Sequence, residues 1–210
     1  MKKRGTILLI SGPSGAGKSS LIAELEKEID DIYFSVSVTT RAKREGEKEG
    51  VDYHFASKEE FEKDIKEGYF LEWAKVHGNY YGTSLKHTLN AIDEGKLVVF
   101  DIDVQGFLQA RKKLGDLITS VFITTPSAKE LEKRLLKRAT DSKEIIQERI
   151  KNAYDELKLS VEYEYFIVND DFEKAKKEIL GIAHSTRVKT SSLDINNFIN
   201  EWSSDSKIVY

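Results

Sequence analysis

The sequence predicts a doubly wound α/β fold, and three observations carry that prediction. Short apolar runs rich in β-formers alternate with amphipathic helical stretches; a glycine-rich turn joins the first run to the first helix; and one aromatic region interrupts the alternation. At 210 residues the chain has room for one core with insertions.

Three runs are apolar at both parities, as strands buried on both faces of a parallel sheet must be: "TILLIS" (6–11), "KLVVFDID" (96–103) and "SVFITT" (120–125). "YFIVN" (165–169) is a fourth. Helical patterns fill residues 18–29, 104–114, 127–139, 142–162 and 171–184, and Ser127 followed by Glu130 marks one helix start as a capping box. From "YFSVSVTT" through "VDYHF" to "YFLEWAKVHGNYYGTS" the pattern becomes short, alternating and aromatic. One helix interrupts it, capped by Ser57 with Glu60 and carrying Phe61 and Ile65 on its apolar face. That region is expected to form a small, partly antiparallel insert between the first and second core strands. The helix "SLKHTLNAIDEG", with Leu85, Leu89 and Ile92 on one face and Gly95 at its end, then returns the chain to the core.

The expected division is a single domain over 1–185, its core at 5–35 and 96–185 and its insert at 36–95, followed by a polar appendage at 186–210. The 33 Lys+Arg and 36 Asp+Glu nearly balance at a net charge of -3, so no global positive field recruits nucleic acid or an acidic membrane. Cysteine is absent, which removes disulfides, thiolate nucleophiles and Cys-ligated zinc. His54, His77, His87 and His184 never fall at metal-ligand spacing and read as structural or solvated. The apolar runs are too short for a membrane span and the first residues too brief for a signal peptide, so a cytoplasmic location is expected.

"SGPSGAGKSS" fits G-x-x-x-x-G-K-[ST] at Gly12, Gly17, Lys18 and Ser19, between a strand and a helix. Backbone N–H groups of Gly12, Pro13's neighbours, Ser14, Gly15, Ala16 and Gly17 would form an anion nest, with the helix N-terminus adding positive potential. Lys18 supplies a charge for the β- and γ-phosphates, and Ser19 a hydroxyl for magnesium. The loop alone leaves the phosphate's destination open: water, a protein or a second small molecule.

"SVSVTTRAKREGEKEGVDYHF" sets Arg41 and Arg44 three apart, near Ser37, Thr39, Thr40 and Tyr53. Arginine forks match phosphate oxygens, so this reads either as a second phosphate pocket or as a solvated basic loop. In "FLEWAKVHGNYYGTS", Glu72 lies between Leu71 and Trp73, where an alternating strand turns it away from both or into a pocket. A carboxylate there can accept from the adjacent N1–H and 2-amino donors of guanine, a pair adenine lacks. Thr83 could donate to guanine O6 and Tyr81 could reach a phosphate; taken alone, both are also ordinary hairpin residues.

The ordered set "GPSGAGKS", "SVTTRAKREGEKEGVDYHF", "EWAKVHGNYYGTS", "VVFDIDVQG", "KRLLKR" and "IVNDD" resembles the guanylate kinase family over residues 5–185. The resemblance implies a P-loop nucleoside triphosphate hydrolase-like sheet, a nucleoside-monophosphate-binding insert and a helical lid at about 134–150. It also implies magnesium-dependent transfer of the ATP γ-phosphate to GMP, with ATP and GMP as the partners and oligomeric state open. By that resemblance Ser37, Arg41, Arg44, Tyr53 and Tyr81 hold the GMP phosphate, Glu72 and Thr83 read the base, and Asp101 sits near magnesium and GMP, with Asp103 beside it. Lys18, Arg44 and the lid residues Arg134, Arg138 and Arg149 supply catalytic charge, and Asn169 lies near the adenine. Where the family usually has proline between the two arginines, this chain has Lys43. The alternatives are a guanylate-kinase-like phosphoprotein-binding module, which usually lacks a working phosphate loop, and a kinase for another nucleoside monophosphate.

Overall fold

The computed structural model describes residues 4–76, 78–137 and 142–204; Arg138 and His77 lie outside them. The chain runs β1 (Thr6–Ser11), α1 (Lys18–Glu28), β2 (Ile32–Phe34), β3 (Val38–Thr39), β4 (His54–Phe55), α2 (Lys58–Lys66), β5 (Phe70–Val76), β6 (Asn79–Ser84) and α3 (Leu85–Asp93). It continues through β7 (Leu97–Asp101), α4 (Val104–Leu114), β8 (Ile118–Thr124), α5 (Ala128–Lys137), α6 (Lys143–Lys158), β9 (Tyr165–Val168), α7 (Phe172–Thr186) and α8 (Ile195–Ser204). No described helix is long and apolar enough to cross a membrane.

The main sheet is parallel, in the order β2-β7-β1-β8-β9. Strand β1 is buried at every residue because both its faces are covered. Leu8 and Ile10 pack with Leu21 and Leu25 of α1 and Ile179 of α7, whereas Ile7 and Leu9 pack with Phe107 of α4 and Ile92 of α3. Each such side chain contributes about 1.5–3 kcal/mol by leaving water, so the stability of the fold is concentrated on this sheet. The sheet holds one strand more than the four expected. Ile32–Phe34 pairs with β7 at the edge; it is apolar but only three residues long and half-buried, and in the sequence Tyr33 and Phe34 read as the start of the insert.

The second sheet has the order β4-β3-β6-β5 and is mixed: β3 and β5 run antiparallel to β6, and β4 parallel to β3. Helix α2 closes it, with the capping box of Ser57 and Glu60 formed on both sides. Its own core is Val38, Phe61 and Phe70. Helix α3 ties this sheet back to the main one, burying Leu85, Ala91 and Ile92 against Val98 and Phe100. His54 of β4 stacks on His87 of α3 at 4.0 Å and contacts the Tyr33 hydroxyl at 3.3 Å, a second link between the sheets.

Beyond α7 the chain stays on the main sheet as far as Ser192, whose carbonyl accepts from the Arg4 N–H at 2.9 Å. Lys189 donates to the Ile118 carbonyl at 2.8 Å. No residue of α8 is buried.

Candidate active site

The chain passes from β1 to α1 at the C-terminal edge of the parallel sheet, where ligands of such sheets bind. Gly12, Gly15 and Gly17 all have positive φ, between 94° and 141°. At Gly12 a Cβ would stand 1.9 Å from the Ile123 carbonyl oxygen, and at Gly17 it would stand 2.3 Å from Asn169 Nδ2. Only glycine lets the loop lie so close to β8 and to the end of β9. Helix α5 covers the turn, with Leu131 and Leu135 packed over Gly15.

Lys18 folds over the mouth of this loop. Its Nζ donates to the Gly12 carbonyl at 2.5 Å and lies 3.9 Å from Asp101 Oδ1 at the end of β7. Ser19 is exposed at the second position of α1. These groups, with Pro13, Ser14, Asp103 and Glu156, line a cavity of about 340 Å³. Burial raises the Asp101 carboxyl above the ordinary range, and Lys18 opposes that shift. Glu156 of α6, which the sequence did not single out, is raised by burial and by Asp103 and lowered by Lys18.

The expected lid residues within the described chain sit close to the loop. Arg134 donates to the Asn169 carbonyl at 2.9 Å while its Nε is held by Glu130, and Arg149 donates to Ser14 Oγ at 2.9 Å. Asn169 itself is buried, and its Nδ2 donates to the Ala16 carbonyl at 2.8 Å. In this structure Asn169 therefore braces the phosphate loop from behind.

A second, larger cavity of about 530 Å³ opens on the mixed sheet and is lined by Ser37, Glu72, Tyr81, Thr83, Gln109 and Lys113, among others. Glu72 and Thr83 are paired residues of β5 and β6, and Thr83 Oγ1 lies 3.4 Å from Glu72 Oε1. Burial raises the Glu72 carboxyl, Asp103 adds to the rise, and the Thr83 hydroxyl opposes it. The neighbours of Glu72 do not share a face as plain alternation predicts. Leu71 is buried in the main core and Trp73 is exposed, because β5 carries an irregularity between Phe70 and Glu72.

Arg41, Tyr53 and Tyr81 form one cluster. The Arg41 guanidinium lies 5.5 Å from the Tyr53 ring centroid, and Tyr53 meets Tyr81 edge-on at 6.0 Å. Glu47 organises the loop between them: its Oε1 accepts from Arg41 Nη2 at 2.6 Å and its Oε2 from the Arg44 backbone N–H at 2.8 Å. That clasp orders the Arg41–Arg44 turn where Lys43 stands instead of the family's usual proline. Sequence spacing gave no sign of it, since Glu47 is one of several glutamates in a charged stretch. Arg44 is exposed.

The N-terminus of α4 approaches both cavities. Asp103 lines the phosphate-loop cavity, accepts from the Gly106 N–H at 2.8 Å, and adds its field to both Glu72 and Glu156. A Cβ on Gly106 would stand 3.2 Å from Glu72 Oε2.

A phosphate loop at the edge of a parallel sheet, with one helix start reaching from it toward a carboxylate-bearing cavity on a mixed insert, defines a P-loop protein of the nucleotide phosphotransferase class. The chain belongs to the guanylate kinase family. The family described as "Guanylate kinase" matches residues 4–185. A relative named guanylate kinase from Campylobacter jejuni subsp. jejuni is 56% identical over 205 residues, covering 96% of this chain and 99% of the relative. One from Sulfurimonas denitrificans is 53% identical over 200 residues, covering 95% and 97%. The crystal structure of guanylate kinase from Anaplasma phagocytophilum superposes with a TM-score of 0.64 at 36% identity, covering 91% of this chain and 90% of that one.

Proposed function

We propose that the protein transfers the γ-phosphate of ATP to GMP, giving ADP and GDP, in the cytoplasm, where both nucleotides are at hand. The observation that carries this reading is the junction at Asp103 and Gly106, which sets a formed phosphate loop beside a cavity holding a half-buried carboxylate. Gly12, Gly17, Lys18 and Ser19 form an intact loop, which supports an enzyme over a binding module.

Phosphoryl transfer spreads negative charge over the equatorial oxygens, so the protein's task is to position, to stabilise charge and to exclude water. We assign the ATP phosphates to the nest from Gly12 to Ser19. Lys18, now bonded to the Gly12 carbonyl, would exchange that partner for phosphate oxygens. Arg134 and Arg149 approach the same loop from the helices above it and would add positive charge on that side. On the insert, Arg41, Arg44, Tyr53 and Tyr81 would take the GMP phosphate, with Ser37 at the cavity wall. Glu72 would accept from guanine N1–H and the 2-amino group, and Thr83 would donate to O6. Asn169 supports the ATP site through Ala16.

The residues present fit magnesium. Hard oxygen donors, the Ser19 hydroxyl and the Asp101 carboxylate, stand in the phosphate-loop cavity, and no cluster of three or more metal-binding side chains exists among the described residues. That donor set suits an ion held by ATP phosphates and water with Ser19 and Asp101 nearby, where it would neutralise phosphate charge.

The test is ADP formation from magnesium and ATP with GMP, AMP, CMP, UMP or dTMP as acceptor. Turnover is expected with GMP and only at trace level with the others. Equal ADP formation with no acceptor would identify an ATPase instead.

A further inference from the structure

Strand β5 does not run straight along the acceptor cavity. Phe70 pairs with Ser84 and Glu72 with Thr83, so two steps on β5 match one on β6 and Leu71 is the extra residue of a β-bulge. All three residues at the bulge border the cavity, but their side chains pack differently. Phe70 stacks on Phe61 at 4.1 Å in the insert, Leu71 is buried with Leu85 and Phe107 in the main core, and Glu72 lines the cavity beside Thr83. A slip of one residue in this register would put an apolar side chain in the place of the carboxylate.

Lys113 holds the bulge. It stands in the last turn of α4, where a cation also complements the helix dipole. Its Nζ donates to the carbonyl oxygens of Phe70 at 2.6 Å and Leu71 at 3.1 Å. One ammonium thus serves both carbonyls at the break in the ladder. The same helix bounds Glu72 at its other end, where Gly106 leaves room for the carboxylate that a Cβ would crowd at 3.2 Å. Helix α4 therefore frames Glu72 by space at Gly106 and by hydrogen bonds at Lys113.

We propose that Lys113 is a positioning residue for base selectivity: by binding the Phe70 and Leu71 carbonyls it fixes the register in which Glu72 faces the purine edge. This rests on the reading of Glu72 as the group that binds guanine. Lys113 acts through Glu72 and takes no part in the transfer of the phosphoryl group.

The test is steady-state kinetics with GMP and IMP on the wild type, Lys113→Met, Lys113→Arg and Glu72→Gln. IMP lacks the 2-amino group, so the ratio of kcat/KM for GMP over IMP reports how well both carboxylate oxygens are aimed. Lys113→Met is expected to raise KM for GMP about tenfold and to lower the GMP-to-IMP ratio by a similar factor. The KM for ATP and the kcat at saturating GMP should stay within about threefold. Lys113→Arg, whose fork can donate to two carbonyls, should restore most of the ratio. If Lys113→Met keeps the wild-type ratio while Glu72→Gln loses it, the role of Lys113 is overturned and that of Glu72 stands. A uniform loss in kcat and in both KM values, unrelieved by arginine, also overturns it, by making Lys113 a folding residue. An unchanged ratio in Glu72→Gln overturns both readings.

Discussion

Glu72 Oε1 and Thr83 Oγ1 lie 3.4 Å apart on paired residues of antiparallel strands. One is a carboxylate held partly out of water, the other a buried hydroxyl, and together they offer acceptors and a donor to one planar edge. Replacing the carboxylate by an amide keeps its shape and removes one acceptor. Glu72→Gln should therefore lower kcat/KM for GMP by about 100-fold or more while leaving KM for ATP within about twofold, measured by varying each substrate in turn. A selective rise in KM for ATP would place Glu72 on the wrong side of the cleft.

The pH dependence of stability follows from the same burial. Because the folded protein raises the Glu72 carboxyl above its ordinary 4.5, it holds that proton more tightly than the unfolded chain does. The favourable contribution is complete below the unfolded value and is lost as pH rises through the folded one. The free Glu72→Gln protein should melt above the wild type at pH 7, and the gap should close as pH falls below about 4.5. Calorimetry of both proteins across that range checks it; a gap that widens in acid would contradict the burial of the carboxylate.

Asn169→Ala should weaken the phosphate loop. It leaves the Ala16 carbonyl without the amide that now reaches it at 2.8 Å, a loss of about 1–3 kcal/mol for a buried group. The melting temperature should fall and KM for ATP should rise more than KM for GMP. Gly17→Ala attacks the same contact from the other side, through a Cβ at 2.3 Å from Asn169 Nδ2 and a φ of +96°.

Glu47→Ala should raise KM for GMP about tenfold with little change in KM for ATP, because the Arg41 side chain and the Arg44 backbone lose their shared partner. Removing a nearby negative charge without disturbing the loop would instead strengthen the binding of a phosphate. A fall in KM for GMP would therefore show that Glu47 competes for Arg41 rather than orienting it.

What could be read in the sequence was local. The phosphate loop announces itself because its glycines, lysine and serine act within one turn, and β1 because a doubly covered strand is apolar at every position. Glu72 and Thr83 were legible as chemistry, but their pairing depends on a bulge at Leu71 that alternation does not reveal. Lys113 reaches back more than 40 residues to the Phe70 carbonyl, and Asn169 reaches Ala16 across the sheet. Those contacts exist only once the strands are in register, which is why a lysine at a helix end and an asparagine after a strand carry no signal of their own. Ile32–Phe34 is apolar enough to read as a strand, but it runs straight into the alternating "SVSVTT", so the sequence joins Tyr33 and Phe34 to the insert, whereas they pair with β7 of the main sheet.

Phosphoryl transfer from ATP to GMP is tested most directly by the fate of a radiolabelled γ-phosphate when the purified protein is given labelled ATP, magnesium and GMP. The label is expected in GDP, one for each ADP formed, and Lys18→Met is expected to slow its appearance by about 100-fold. Label released as inorganic phosphate at the same rate with and without GMP would contradict it.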